Sequence, residues 1–286
     1  MSDLEVALRA LSFAAMVLMF GASLFLVYAP ERVQRAGPLR MHRGAAAVAF
    51  ATSALWLGVR AAAISGHPLL RLLEGDALST VVGQTIFGRA GAIRLLLILL
   101  AAFTPSSPRA DAPRAALAGA ALASIAWNGH AVATPGYLHL CADAVHLLAA
   151  GAWVGALIPL AHALARAPAF ETTLLTRRFS QLGLVCIVAL LATGAINAWF
   201  LVGSPHALVD TAYGRLLSIK LVLFAAMLVL AGVNHFRFTP RLPQASAARA
   251  IALDAGIEAV LGLAVIVVVA ALGVMVPAAH SAMHMR

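Results

Sequence analysis

The chain has 286 residues, 62% of them hydrophobic and only 11% charged, with a formal net charge of +9. A soluble domain carries roughly 25% charged residues, so this composition excludes an ordinary water-soluble fold and points to a protein solvated largely by lipid. The positive charge is not the footprint of nucleic-acid binding either, because the basic residues fall in alternate connections between apolar segments and form no stripe.

A spanning helix needs about 20 mainly apolar residues, each rising 1.5 Å through a core of roughly 30 Å. In chain order, eight segments are expected to span: residues 4–28, 42–65, 82–103, 112–127, 137–164, 179–202, 213–236 and 250–276. The fold class is thus all-α, a polytopic membrane bundle in a single integral membrane domain over residues 1–286, ending in a tail at 277–286. The first segment opens with the acidic MSDLEVALRA, which lacks the positive n-region of a secretory signal and is expected to be retained. Pro30, Pro38, Pro68, Pro105, Pro108, Pro135, Pro205, Pro240 and Pro243 fall in connections, where a missing backbone donor does no harm. Residues 67–80 are amphipathic and expected on the outer surface. No internal repeat is evident.

Arginines set the orientation. The first connection carries Arg32, Arg35, Arg40 and Arg43, the third Arg109 and Arg114, the fifth Arg166, Arg177 and Arg178, and the seventh Arg237, Arg241 and Arg249; the even connections carry few. Odd connections are therefore expected in the cytoplasm and both termini in the periplasm. On that scheme His67, His130, His139, His146, His206, His280 and His284 fall on the outer side, and only His42, His162 and His235 on the inner side.

The stretch NGHAVATPGYLHLCADAVH, residues 128–146, concentrates polar groups amid apolar sequence. At 100° per residue, His139, Asp143 and His146 lie within about a 60° arc of one helix, with Trp153 continuing the stripe and Cys141 pointing away. Imidazole, carboxylate and imidazole on one face can hold a metal, orient a porphyrin or pass protons. One such histidine could simply satisfy a neighbouring helix, but three aligned ionisable groups are costly in lipid and favour function.

Outside the last segment, HSAMHMR supplies His280, Met283, His284 and Met285. Imidazole suits copper in either oxidation state and thioether sulfur favours Cu(I). Met16 and Met19 read as core packing. Arg94 and Lys220 are deeper cations, each needing a partner such as Asp143, a carbonyl or an anionic substrate. Glu258 is a candidate for the inner end of a path. Cys141 and Cys186 sit at different depths and are not expected to pair. No nucleotide-binding loop, HExxH, CxxC or CxxCH occurs, so the chain carries no ATPase engine and no covalent c-type haem motif.

The chain resembles the copper resistance protein D (CopD) family of bacterial inner-membrane proteins. The likeness rests on NGHA from Asn128, HLCADAVHLLAAGAWVGAL from His139, FGRAGAIRL, TGAINA from Thr193, TAYGRLLSIKLVLF from Thr211 and the final-segment acid Glu258. It implies eight spans, a role in moving copper, Cu(I) or Cu(II), across the inner membrane, and a small periplasmic copper carrier of the CopC type as partner. In the seventh segment the family often has an Asn-Arg pair, where this chain has Asn234 followed by His235.

Two functions follow as expectations. In the first, a copper transporter takes the ion from the periplasm at His130, His139, Asp143 and His146, with the tail and His67 or His206 as capture ligands. The second is a haem b-binding oxidoreductase or cytochrome, with His146 and a partner such as His130 as axial ligands; more remotely, the chain resembles a haem-binding protoporphyrinogen oxidase family. A scaffold or accessory subunit is the plainer third reading.

Overall fold

The computed structural model describes residues 3–30, 33–66, 77–134, 136–166, 169–242 and 244–281. Most of these residues are helical, and no strand occurs among them. The helices are α1 (Asp3–Tyr28), α2 (Ala36–Ser65), α3 (Ala77–Gln84), α4 (Ile86–Ala102), α5 (Asp111–Ala123), α6 (Leu138–Leu164), α7 (Ala169–Val202), α8 (Ala207–Asp210), α9 (Ala212–Val233), α10 (Ala245–Leu272) and α11 (Ala278–Ser281). Six helices are long and apolar enough to cross a membrane, or seven spans if the bent pair of α3 and α4 counts as one.

Helix α1 is the centre of the bundle, packing on α2, α5, α6 and α10. Its Met16, Met19 and Phe25 are fully buried, as core packing requires. Where α1 crosses α6 the backbones nearly touch. A Cβ on Gly21 would lie 2.0 Å from the Gly155 carbonyl carbon, and one on Gly155 would lie 2.0 Å from the Val17 carbonyl oxygen. In lipid there is no hydrophobic drive between helices, so small residues that permit such approach hold them together.

The expected continuous span at 82–103 is instead broken at Thr85, where α3 and α4 meet at 96°. The Thr85 side chain accepts from the Gly88 amide at 2.9 Å and caps α4, and Gly88 lies too close to the Val81 carbonyl for any side chain. Helix α9 begins identically: Thr211 accepts from the Gly214 amide at 2.9 Å, and Gly214 abuts the Ala207 carbonyl. TIFGR at Thr85 and TAYGR at Thr211 thus build one device twice, each followed at the same distance by a cation, Arg94 or Lys220. This is an internal repeat that sequence inspection missed.

The expected span at 112–127 divides into α5 and a tighter 3₁₀ stretch, Ser124–Asn128. Arg94, buried, explains the change of winding: it donates to the Ser124 hydroxyl and carbonyl, each at 2.9 Å, and to Asn128 Oδ1 at 3.1 Å. Its partners are therefore hydroxyl, carbonyl and amide oxygens, not Asp143.

At the opposite end of the bundle, Arg35 and Arg114 both pair with Asp111, at 2.7 and 2.6 Å, and Arg114 also donates to the Pro105 carbonyl. Arg43 reaches Ser106 and Arg178 donates to the Tyr28 carbonyl at 2.7 Å. The basic residues of the first, third and fifth connections hence meet at one end. Cys141 is exposed, Cys186 buried, and both are free.

Candidate functional site

The polar stripe of α6 is matched residue for residue by α7, which runs antiparallel to it. His146 Nδ1 lies 2.9 Å from Thr193 Oγ1. Asn197 Nδ2 donates to Asp143 Oδ1 across a long 3.4 Å. The His139 ring stacks on Phe200, centroids 4.8 Å apart and planes 10° from parallel. The spacing i, i+4, i+7 on α6 meets the same spacing reversed on α7, because both faces repeat at 3.6 residues per turn. Gly194 leaves room beside the His146 Cε1 edge. Thr193, Asn197 and Phe200 were not singled out as site residues by sequence; the signal was their spacing, readable only once α7 is known to lie against α6.

One proton count fixes the chemistry of His146. The Thr193 hydroxyl has a single hydrogen and donates it to the Ala189 carbonyl at 2.6 Å, since a carbonyl can only accept. Its oxygen must then accept from His146 Nδ1–H, which leaves the Nε2 lone pair for a metal. A hydrogen-bonded second nitrogen is the usual support for a metal-ligating imidazole.

Around this stripe, Gly129 sits beside Asp143, a Cβ there falling 3.7 Å from Oδ2. Lys220 on α9 lies within electrostatic reach of Asp143 and His146 without forming an ion pair. Thr134 Oγ1 is 2.9 Å from His139 Nδ1, and the short 3₁₀ turn His130–Ala133 packs on α6. Further along the same face, Trp153 lies beside Glu258 of α10, and Asn234 Nδ2 donates to Glu258 Oε1 at 3.1 Å. Asn234 opens a π-helical turn, Asn234–Phe238, a winding often found at functional sites. Both Asn197 and Asn234 present a buried Oδ1 with no donor among the described residues. Lone oxygens beside carboxylates are what a passing cation would use.

The expected convergence of three imidazoles and a carboxylate into one metal cage is not seen: among the described residues no group of three or more His, Cys, Asp or Glu side chains is close enough to hold an ion. The reason is the α7 ladder, which gives His139, Asp143 and His146 separate partners at successive turns. His206 is exposed at the start of α8, away from this stripe in sequence and on the α7–α9 connection. Of the remaining expected ligands, His67, Met283, His284 and Met285 lie outside the described residues, and His280 belongs to α11.

The chain is similar to known proteins over its full length. The sequence profile described as Copper resistance protein D-like, N-terminal domain, matches residues 1–140, and that described as Copper resistance protein D matches residues 173–272. Copper resistance protein D of Pseudomonas syringae pv. tomato is 32% identical, covering 98% of this chain and 99% of its own. The inner membrane protein YebZ of Escherichia coli (strain K12) is 28% identical over 84% of this chain and 86% of its own. Copper transport protein CutJ of Bacillus subtilis (strain 168) is 34% identical over 51% of this chain, a match confined to 27% of that longer protein. No solved structure matches.

Proposed function

The chain belongs to the copper resistance protein D family, and from that premise we propose that it carries copper from the periplasm towards the cytoplasm through the α6 face. It is a multi-pass membrane protein with a role in copper homeostasis. Copper enters at His139 and His130, passes Asp143 and His146, and leaves towards Glu258 and Asn234. The observation that carries this reading is the bare Nε2 of His146, fixed by Thr193. Successive single-turn ligands suit a path better than a cage does, because conduction needs binding weak enough to release.

The scheme uses eight spans in the inner membrane, both termini outside. Helix α5 with its 3₁₀ continuation rises about 30 Å, since 3₁₀ residues advance by about 2 Å, so this segment reaches across despite its short α-helical part. The shared end of the arginine-rich connections supports placing them all in the cytoplasm. A periplasmic carrier of the CopC type would deliver copper to the His139 end, with His67, His206, His280, Met283, His284 and Met285 as capture ligands. No enzymatic step is required.

Copper uptake by cells carrying the chain, against cells carrying His146→Ala at equal membrane abundance, tests the reading. Reduced uptake in the variant supports it. A Soret band on purified protein, lost in the same variant, would replace it by the haem b reading.

A further inference from the structure

The first half of the chain repeats two of the three α6–α7 contacts in the same register, but with different chemistry. On α1 and α2, Ser12 bonds Ser53 at 2.7 Å, Arg9 lies over Trp56, and Glu5 pairs with Arg60 at 3.6 Å. Ser12, Arg9 and Glu5 each stand the same number of residues ahead of His146, Asp143 and His139, as Gly21 does of Gly155. Ser53 and Arg60 likewise precede Thr193 and Phe200 at one common interval. The carboxylate of the second half is thus a guanidinium in the first, and Arg94 takes the position of Lys220.

These residues frame a cavity of about 350 Å³, at the low end of the ~300–1,000 Å³ of ligand pockets. Its lining includes Glu5, Arg9, Trp56, Arg60, Asn128 and His130, together with the chain after α10. The Arg9 guanidinium carbon lies over the Trp56 and Phe13 rings, at 5.0 and 5.3 Å. Arg9 is only 7% exposed, and its Nε finds no acceptor among the described residues. The same holds for Trp56 Nε1 and for Asn128 Nδ2, whose Oδ1 is already taken by Arg94. All three orphaned atoms are donors, and leaving a buried donor unmade is costly. Among the described residues lining the cavity, Glu5 is the one carboxylate against the guanidinium groups of Arg9, Arg60 and, on the same Trp56 ring at 5.6 Å, Arg94.

We propose that this cavity binds a small oxyanion, a carboxylate or phosphate, at the end of the bundle that holds the His139 stripe. The guanidinium N–H groups and two neutral N–H donors match such a group, whereas Arg9 and Arg60 oppose a copper ion there even though Glu5 and His130 belong to the lining. The two halves therefore hold opposite kinds of ligand on equivalent faces.

The test uses the full chain in phosphatidylcholine nanodiscs, titrated with inorganic phosphate at constant ionic strength by calorimetry. A saturable single site is expected, weakened about tenfold or more by Arg9→Gln and by the partly exposed Arg60→Gln, the loss expected for one charge-assisted hydrogen bond. Copper binding by Arg60→Gln should be unchanged, so failure here is separable from failure of the copper reading. If the group comes from lipid, phosphatidylglycerol should instead be retained by the wild type through purification from anionic discs and lost from both variants, as read by native mass spectrometry. Wild type and variants that behave alike towards both phosphate and phosphatidylglycerol would overturn the proposal.

Discussion

His146 Nδ1 lies 2.9 Å from a Thr193 hydroxyl that is itself committed to the Ala189 carbonyl, so a residue on α7 decides which nitrogen on α6 faces the path. Thr193→Val keeps the shape and removes the acceptor. Copper affinity should fall about 10–100-fold, the usual loss when support of a ligating imidazole is removed, with the amount of folded protein unchanged. Equilibrium dialysis of the purified variant against buffered copper measures this.

The α1–α6 crossing has no room for a methyl group at Gly155, because the obstacle is the Val17 backbone and not a movable side chain. Gly155→Ala should force the helices apart and cost about 1–3 kcal/mol, as overpacking does. A lowered unfolding midpoint in detergent is the expected outcome.

Much of the fold was legible in the sequence, because long apolar runs without charge have few alternatives in lipid. The α6 stripe was legible too, since His139, Asp143 and His146 repeat at helical spacing. What could not be read were relations between segments. Thr193, Asn197 and Phe200 are ordinary residues until α7 lies antiparallel on α6. The 96° corner at Thr85 depends on a cap and on a glycine pressed against Val81, a local signal hidden in an apolar run. The internal repeat escaped notice because its halves share mainly the Thr-x-aromatic-Gly-Arg device, while the facing side chains changed charge.

Glu258 is buried where α10 meets Trp153 and Asn234. Glu258→Gln keeps the hydrogen-bonding shape but removes the negative charge at the inner end of the path. Uptake of copper should fall while copper bound to the purified protein stays near the wild-type level; loss of both would place Glu258 in the binding step.

Both termini should report the periplasm. Reporter fusions at Ser2 and Arg286 are expected to be active outside, as eight spans and the arginine distribution require. A cytoplasmic carboxyl terminus would contradict the eight-span scheme.

Removal of residues 280–286 should weaken uptake when copper is scarce and leave it intact when copper is plentiful, if the tail only captures the ion. Concentration-dependent uptake assays read this directly, and loss at every concentration would put the tail in the path itself.

The most direct measurement is the copper content and uptake of His139→Ala and His146→Ala, compared with His162→Ala at the other end of α6, each at equal abundance in the membrane. The account predicts that the first two lose bound copper and transport while the third does not. Full copper content and transport in both His139→Ala and His146→Ala would contradict it.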